Sequence, residues 1–419
     1  MQIKAPRGTY DILPVDSYKW QVMEKTMRET AELFGYQEIR VPIFEHTELF
    51  ERGVGETTDI VSKEMYTFTD KGDRSLTLRP EGTASCVRVL IEHKLFGGLM
   101  PIKWYYTGPM FRYDRPQAGR YRQFHQFGIE AFGSNSPYLD VEVIMLMLEI
   151  LNRMGLKNYE LHINSVGCPV CREVYRQKLV EYITPVKEKL CEDCQVRYRQ
   201  NPLRVLDCKV KTCHSAITGC PSIKDNLCPD CQTHYEQVKA ALTDNGISYL
   251  HDDNLVRGLD YYSNTAFEVH IPGIGAQSAV GGGGRYNGLV KECGGPELPG
   301  IGFALGMERL LLALDKLTDL GNKPNDTDVF IVTMNNSYED QAVKLLYELR
   351  QANIKADKDY NGRSSKAQMK YADKLGARLV VLLGEEEISQ NYYTLRNMQT
   401  RQQVPVPGPD LINHIKNLL

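Results

Sequence analysis

Apolar and polar positions along the 419 residues fall into three stretches with different rhythms. In the last, DVFIVTM is an apolar run of strand length. YEDQAVKLLYELRQAN then sets Ala342, Leu345, Leu346 and Leu349 on one helical face. IKADKDY, a helix-like SSKAQMKYADKLGA, a strand-like RLVVLLG and a closing helix PDLINHIKNLL follow. That order predicts a small α/β domain over 326–419, with a partly parallel sheet and right-handed crossovers. It carries no cluster of titratable or nucleophilic groups, so a binding module is the reading. The preceding LDKLTDLGNKPNDTD, rich in Gly, Asn, Pro and Asp, reads as a linker.

The first stretch, 1–320, has closely spaced β-rich segments: RSLTLRP, IKWYYTGPMFRYD, YRQFHQFGIEAFG and TAFEVHI, with helices before and after. Short spacing favours hairpins, hence an antiparallel sheet packed with helices and an α+β class. A Cys-rich stretch, 167–245, interrupts it.

Composition narrows the class. Apolar content of 42% and charged content of 25% suit a globular protein. A net charge of −3 argues against coating nucleic acid by bulk charge and leaves room for a local basic patch. MQIKAPRGTYDILP has no run of signal-peptide length, and VEVIMLMLEILNRM, broken by Glu149, is too short to span a membrane. A soluble, cytoplasmic protein is expected. Most of the eleven cysteines lie between Cys168 and Cys231, which suggests metal binding or reduced thiols rather than disulfides. Cys168 and Cys171, then nineteen residues, then Cys191 and Cys194 fit the spacing of a four-thiolate zinc site. Cys208, Cys213, Cys220, Cys228 and Cys231 complicate the pairing, so no metal ligand is assigned.

The densest chemistry is FRYDRPQAGRYRQFHQFGIE. Arg112, Arg115, Arg120 and Arg122 fall within eleven residues, interleaved with aromatics and split by a Pro-Gly loop. A strand period of two would put Arg120, Arg122, Phe124, Gln126 and Glu130 on one face. Guanidinium groups bind phosphate bidentately and an aromatic ring stacks a base; a solvated positive hairpin is the alternative. In LRPEGTAS, Glu81 sits at a strand end, fit either to bind an ammonium group or to cap the helix after Thr83. RGLDYY brings Arg257 and Asp260 beside Tyr261 and Tyr262. Gly281 to Gly284 are consecutive, a run that asks for close backbone or ligand approach. Gly300, Gly302 and Gly306 miss the dinucleotide spacing, so a Rossmann fold is rejected. Arg309, in the first turn of the following helix, is unfavourable there unless it faces an anion.

Together PRGTYDILP, GYQEIRVPIFEHTELFERGVGETTD, LRPEGT, GPMFRYDRPQAGRYRQFHQFGIE, RGLDYY, GGGGRYNGL and GIGFALGMERL resemble class II aminoacyl-tRNA synthetases, and the histidine branch in particular. The resemblance spans essentially the whole chain. It implies an antiparallel catalytic core, an insertion domain, a C-terminal anticodon-binding domain and a homodimer formed through the segment around Pro42. The implied reaction joins L-histidine to ATP as an adenylate, then passes it to the 3′ end of tRNA(His), with Mg²⁺ on the phosphates and neither membrane nor DNA involved. Arg112 would contact the α-phosphate, Arg309 the γ-phosphate, and Arg120 the nucleotide, with Phe124 stacked on adenine. Glu81, Gly82, Thr83 and Gln126 would hold the amino-acid backbone; Glu130, Tyr261 and Tyr262 would read the imidazole. Arg257 would reach the carboxylate and α-phosphate. Arg115 and Gln117 would face the RNA acceptor end. Metal ligands are not a general feature of the family's insertion, and structural zinc here stays open. The rivals are a synthetase-like regulatory subunit of ATP phosphoribosyltransferase, which binds without catalysis, and a zinc-ribbon nucleic-acid-binding protein.

Overall fold

Alternating large apolar and small residues build one broad sheet in the first of two compact units, Met1–Leu320 and Gly321–Leu419. The computed structural model describes residues 3–55, 58–206, 208, 210–256, 258–275, 278–318 and 327–419. The linker positions 319–326 and Arg257 lie outside these.

In chain order the strands of the first unit are β1 (Gln37–Glu38), β2 (Phe44–His46), β3 (Tyr66–Thr69), β4 (Ser75–Leu78), β5 (Ile102–Phe111) and β6 (Gln123–Phe132). Then come β7 (Glu160–Ser165), β8 (Leu250–His251), β9 (Ser263–His270), β10 (Ala279–Arg285) and β11 (Gly300–Gly306). Eight of them form a sheet in the order β1-β5-β6-β11-β10-β9-β7-β8. Pairing is antiparallel from β5 across to β7. The short β1 and β8 add parallel edges. A separate three-stranded sheet runs β2-β4-β3.

One face of the large sheet is apolar. Phe127, Ile129, Phe267, Val269, Phe303 and Leu305 are buried there against the helices Pro14–Leu33 and Pro137–Arg153. The second helix is apolar almost all round, as expected of one sandwiched on several sides. It starts at Pro137, behind Ser136, whose hydroxyl accepts the Tyr138 N–H. Within this apolar layer sits a buried ion pair: Arg285, at the end of β10, lies 2.5 Å from Asp140. Thr265 donates to Asp140 at 2.6 Å, and His234 lies 2.7 Å from it. Arg285 also donates to the carbonyls of Ser134 and Ser136, each at 2.8 Å.

The Cys-rich stretch folds as the helices Pro169–Ile183, Glu192–Gln200 and Lys211–Ile217 around a small core of Tyr175, Leu179, Ile183, Val205 and Ile217. Its last helix, Pro229–Asp244, sends Tyr235, Val238 and Leu242 into the main core. The spacing-based grouping of Cys168 and Cys171 with Cys191 and Cys194 is overturned. The sulfurs converge instead as Cys168, Cys171, Cys228 and Cys231, and separately as Cys191, Cys194, Cys208 and Cys213. Helix length explains it: after Cys171 the helix runs about twelve more residues to Ile183, roughly 18 Å of rise, before Cys191 is reached.

The second unit holds β12 (Val329–Thr333), β13 (Ala356–Lys358), β14 (Leu379–Leu383), β15 (Tyr392–Asn397) and β16 (Gln403–Pro407), in the order β13-β12-β14-β15-β16. The first three are parallel and the last two extend the sheet antiparallel. Ala342, Leu345, Leu346 and Leu349 of the helix Glu339–Gln351 fill its core. The β15–β16 hairpin escaped the sequence pattern, because only Leu395 and Val406 along it are buried.

Asp140→Asn leaves Arg285 buried without its counter-charge. The expected loss is about 3–5 kcal/mol of stability, read as a lower urea midpoint for the first unit's transition.

Candidate active site

The opposite face of the sheet is nearly bare in its middle. Tyr106, Gly128, Ala304, Gly282 and Glu268 lie side by side across β5, β6, β11, β10 and β9. Two residues along, Trp104, Glu130, Gly302, Gly284 and Ala266 form the next row. Residues two apart share a face, so a floor of glycine and alanine runs between taller side chains at its edges. The space cannot be filled without conflict. A Cβ on Gly302 would stand 2.2 Å from Glu130 Oε2, and one on Gly284 only 2.5 Å from the Thr265 carbonyl. The four-glycine run is thus a place where two strands pass too closely for side chains. Above the floor is a cavity of about 250 Å³.

Three guanidinium groups ring it. Arg112 follows β5 and donates through Nε to the Pro80 carbonyl at 2.9 Å. Arg120, in the hairpin loop, pairs with Asp114. Arg309 comes from the first turn of the helix Met307–Leu317 and donates to the Ala279 carbonyl at 2.7 Å. Burial pulls Arg112 and Arg309 below the usual arginine range, and the charge of Arg120 lowers both further. Glu64 and Glu81 offset this at Arg112. Like charges drawn together in this way could hold an anion, and Arg309, at a helix start, lines the cavity with them. Phe124 lines the same space, with the Arg112 guanidinium 5.4 Å from its ring centre.

The carboxylate side is built at the start of the helix Thr83–Glu92. Glu81 accepts the N–H groups of Thr83 and Ala84 at 2.7 and 2.8 Å, so it caps that helix and lines the cavity at once. The helix-capping reading of Glu81 is thus observed, and its place in the cavity wall leaves the carboxylate where an ammonium group could reach it. Gly82 allows Tyr106 against it, for a Cβ there would stand 2.3 Å from that ring. Thr83 donates to Glu130 at 2.6 Å, Tyr106 donates to it at 3.1 Å, and Tyr286 donates to its other oxygen. Burial pushes the Glu130 carboxyl up to about 8, against the pull of these hydroxyls. Tyr261 and Tyr262 close this end, their rings 4.7 Å apart. Gln126 also lines the cavity, and its buried Oε1 has no hydrogen-bond partner among the described residues. A buried acceptor of this kind is open to a donor from the cavity.

Glu81, Thr83, Arg112, Arg120, Phe124, Gln126, Tyr261, Tyr262 and Arg309 thus share one cavity, with Glu130 one layer beneath. Others fall elsewhere. Arg115 and Gln117 are exposed on the hairpin loop. Arg122 is not on the Phe124 face: the strand begins at Gln123, and Arg122 stacks 3.7 Å over Tyr113 while its N–H donates to Gly8. Sequence reading missed Tyr106 and Tyr286, which hold Glu130, and Glu268, opposite Gly282. It also missed Glu308, which accepts from the His125 N–H at 2.9 Å and faces the same cavity. An acid just ahead of Arg309 was the available signal for Glu308; the rest depend on strand register.

An antiparallel sheet carrying a guanidinium-ringed cavity on its bare face, with a separate α/β unit behind it in sequence, defines a class II aminoacyl-tRNA synthetase. A family model described as histidyl-tRNA synthetase matches residues 8–178 and 222–310, and one described as anticodon binding domain matches 328–418. The histidine–tRNA ligase of Syntrophomonas wolfei is 67% identical over all of this chain and 99% of its own length. That of Desulforamulus reducens is 58% identical over 98% of each. The crystal structure of apo histidyl-tRNA synthetase from S. aureus superposes with a TM-score of 0.84 at 47% identity, covering 99% of this chain and 100% of that one. The chain belongs to the histidyl-tRNA synthetase family, and the regulatory-subunit reading is not favoured.

Glu130 makes stability depend on pH. Its folded pKa of about 8 lies above the ordinary 4.5, so the folded state holds a proton that the unfolded chain has lost. The contribution is full below the ordinary value and disappears as pH rises through about 8. Melting temperatures taken across that window should fall more steeply for the unmodified chain than for Glu130→Gln.

Proposed function

We propose that this cavity binds ATP and L-histidine together and joins them as histidyl-adenylate, after which histidine passes to the 3′ end of tRNA(His). The observation that carries the reading is the convergence of Arg112, Arg120 and Arg309 on the space shared with Glu81, Gln126 and the tyrosine pair.

In this reading Arg112 holds the α-phosphate, Arg309 the γ-phosphate and Arg120 the nucleotide, while adenine stacks on Phe124. Glu81, Gly82, Thr83 and the unsatisfied Gln126 carbonyl receive the ammonium end of histidine. Tyr261, Tyr262 and Glu130 read the ring, Glu130 acting through the hydroxyls it gathers. Arg257 reaches the carboxylate and α-phosphate, a role that rests on the RGLDYY resemblance alone. Arg115 and Gln117, exposed on the hairpin loop, face the acceptor end of the RNA. Glu268 and Glu308 line the cavity beside the arginines and suit Mg²⁺, which binds through one or two carboxylates plus substrate phosphates and neutralises leaving charge.

The histidine carboxylate is already ionised at neutral pH, so attack on the α-phosphate needs no general base. Positioning and charge stabilisation suffice. The C-terminal unit, 326–419, would read the anticodon, and the 167–245 insertion would lie toward the acceptor arm. A homodimer through the segment around Pro42 fits the exposed Ile43, Phe44 and Phe68, the last two with rings 6.4 Å apart on the small sheet. No helix among the described residues is long and apolar enough to cross a membrane, and a cytoplasmic site of action fits a partner that is transfer RNA.

The test is ATP–pyrophosphate exchange with each amino acid in turn: only histidine should support it, and exchange driven equally by another amino acid overturns the reading. Arg309→Ala should lower the exchange rate by on the order of 10²-fold, the effect of losing one transition-state donor, with the melting temperature unchanged. In Glu130→Gln, KM for histidine should rise far more than KM for ATP; equal rises would remove Glu130 from ring recognition.

A further inference from the structure

We propose that the chain holds two structural zinc ions, each on four cysteine thiolates, and that the second one braces the loop carrying Tyr261 and Tyr262. The first site is Cys168, Cys171, Cys228 and Cys231; the second is Cys191, Cys194, Cys208 and Cys213. Within each group all four sulfurs lie within 4.8 Å of one another. Cys168 and Cys171 sulfurs are 3.6 Å apart, and those of Cys191 and Cys208 are 3.9 Å apart. A tetrahedron of Zn–S bonds of about 2.3 Å has edges of about 3.8 Å, so the spacing is that of one ion. An iron–sulfur cluster would hold its thiolates around a body several atoms wide and does not fit. Among single ions, soft thiolate donors in a tetrahedron select zinc.

The surroundings match a thiolate centre. The Cys228 N–H donates to the Cys171 sulfur at 3.0 Å, and the Cys191 N–H to the Cys213 sulfur at 3.1 Å. Such outer bonds orient ligands and spread their charge. Cys168, Cys191 and Cys228 each stand at the N-cap of a helix of nine residues or more, where the positive helix end faces the sulfurs.

The two sites do different work. The first ties the starts of the helices Pro169–Ile183 and Pro229–Asp244 beside the main sheet, within 3.9 Å of Asn264. The second closes a loop of the insertion whose cysteines all fall in 179–221, between the two segments matched by the family model. Between Cys194 and Cys208 the chain presents three polar side chains to the substrate side. Arg197 pairs with Asp59 at 2.7 Å, Asn201 donates to Asp260 at 2.9 Å, and Arg204 donates to Asp260 and the Gly258 carbonyl. Asp260 immediately precedes Tyr261. An ion that sets the shape of this loop sets where Asp260 is held.

The full-length chain, purified without added metal, should contain two zinc ions per chain by mass spectrometry of the elements. Cys191→Ser with Cys194→Ser should retain one. In the unmodified chain a thiol reagent should reach at most three cysteines, Cys86, Cys220 and Cys293, since eight of the eleven are ligands. Chelator plus denaturant should expose the rest. One ion or none, iron in place of zinc, or eight further thiols reacting in the native chain overturns the proposal. The bracing role rests on the proposed histidine pocket and has its own readout: in the double variant KM for histidine should rise by about fivefold or more with KM for ATP nearly constant. Loss of one zinc with both constants unchanged would leave the metal sites standing and remove the bracing role. Loss of histidine dependence in the unmodified chain would instead count against the pocket.

Discussion

The cavity exists because β10 and β11 give up their side chains where they cross its floor. Gly281, Gly283, Gly284 and Gly302 let neighbouring strands and the Glu130 carboxyl occupy a space in which one methyl group would collide. Glycine in a strand is unfavourable by roughly 0.5–1 kcal/mol relative to alanine, so a run of four needs support from elsewhere. It comes from the far face of the sheet, where β6, β9 and β11 are laden with Phe127, Ile129, Phe267 and Phe303. It comes also from Arg285, whose buried pairing with Asp140 pins the end of β10 to the helix beneath. One face of the sheet carries stability and the other carries function.

That division explains how three arginines can be held together. Their mutual repulsion opposes folding, yet Arg112 and Arg309 are each fixed by a donor bond to a backbone carbonyl, from Pro80 and Ala279 respectively. Carbonyls supply negative potential without neutralising the cation. A site arranged this way needs little reorganisation when an anion arrives, which is the condition for strong electrostatic stabilisation. Arg120, held by the carboxylate of Asp114, is different: its loop position and its ion pair allow it to exchange partners.

Much of this was legible in residue order. The parallel core of the C-terminal unit followed from apolar runs separated by one-faced helices. The arginine-aromatic hairpin and the Glu81 turn were singled out separately, and the structure brings Arg112, Arg120, Phe124, Gln126 and Glu81 to one cavity. What failed did so for identifiable reasons. Period-two counting put Arg122 with Phe124, but the strand starts one residue later, because the Arg122 N–H is taken by Gly8, far away in sequence. Glu268 and Tyr286 were invisible because only strand register brings them to the cavity. Cysteine spacing suggested one group where there are two, since the partners of Cys171 lie across a connection of 57 residues that local spacing does not encode. The β15–β16 hairpin was missed because β15 mixes aromatic and polar residues on both faces and β16 is interrupted by Pro405 and Pro407, so neither reads as a half-buried strand.

Selectivity for the proposed amino acid follows from the same construction. Thr83, Tyr106 and Tyr286 spend their hydroxyl protons on Glu130, leaving a buried network whose remaining capacity is for a ring with its own nitrogen donor or acceptor. An apolar side chain of similar size would enter a space where these groups gain nothing and lose water. A pocket built to hydrogen-bond its substrate rejects an analogue lacking the polar atoms by on the order of 10⁴, far more than shape alone achieves. Discrimination of that size is available in the first binding step. In the proposed reading it is the polar network at the edge of the glycine floor, rather than a second hydrolytic site, that would carry the accuracy of the enzyme.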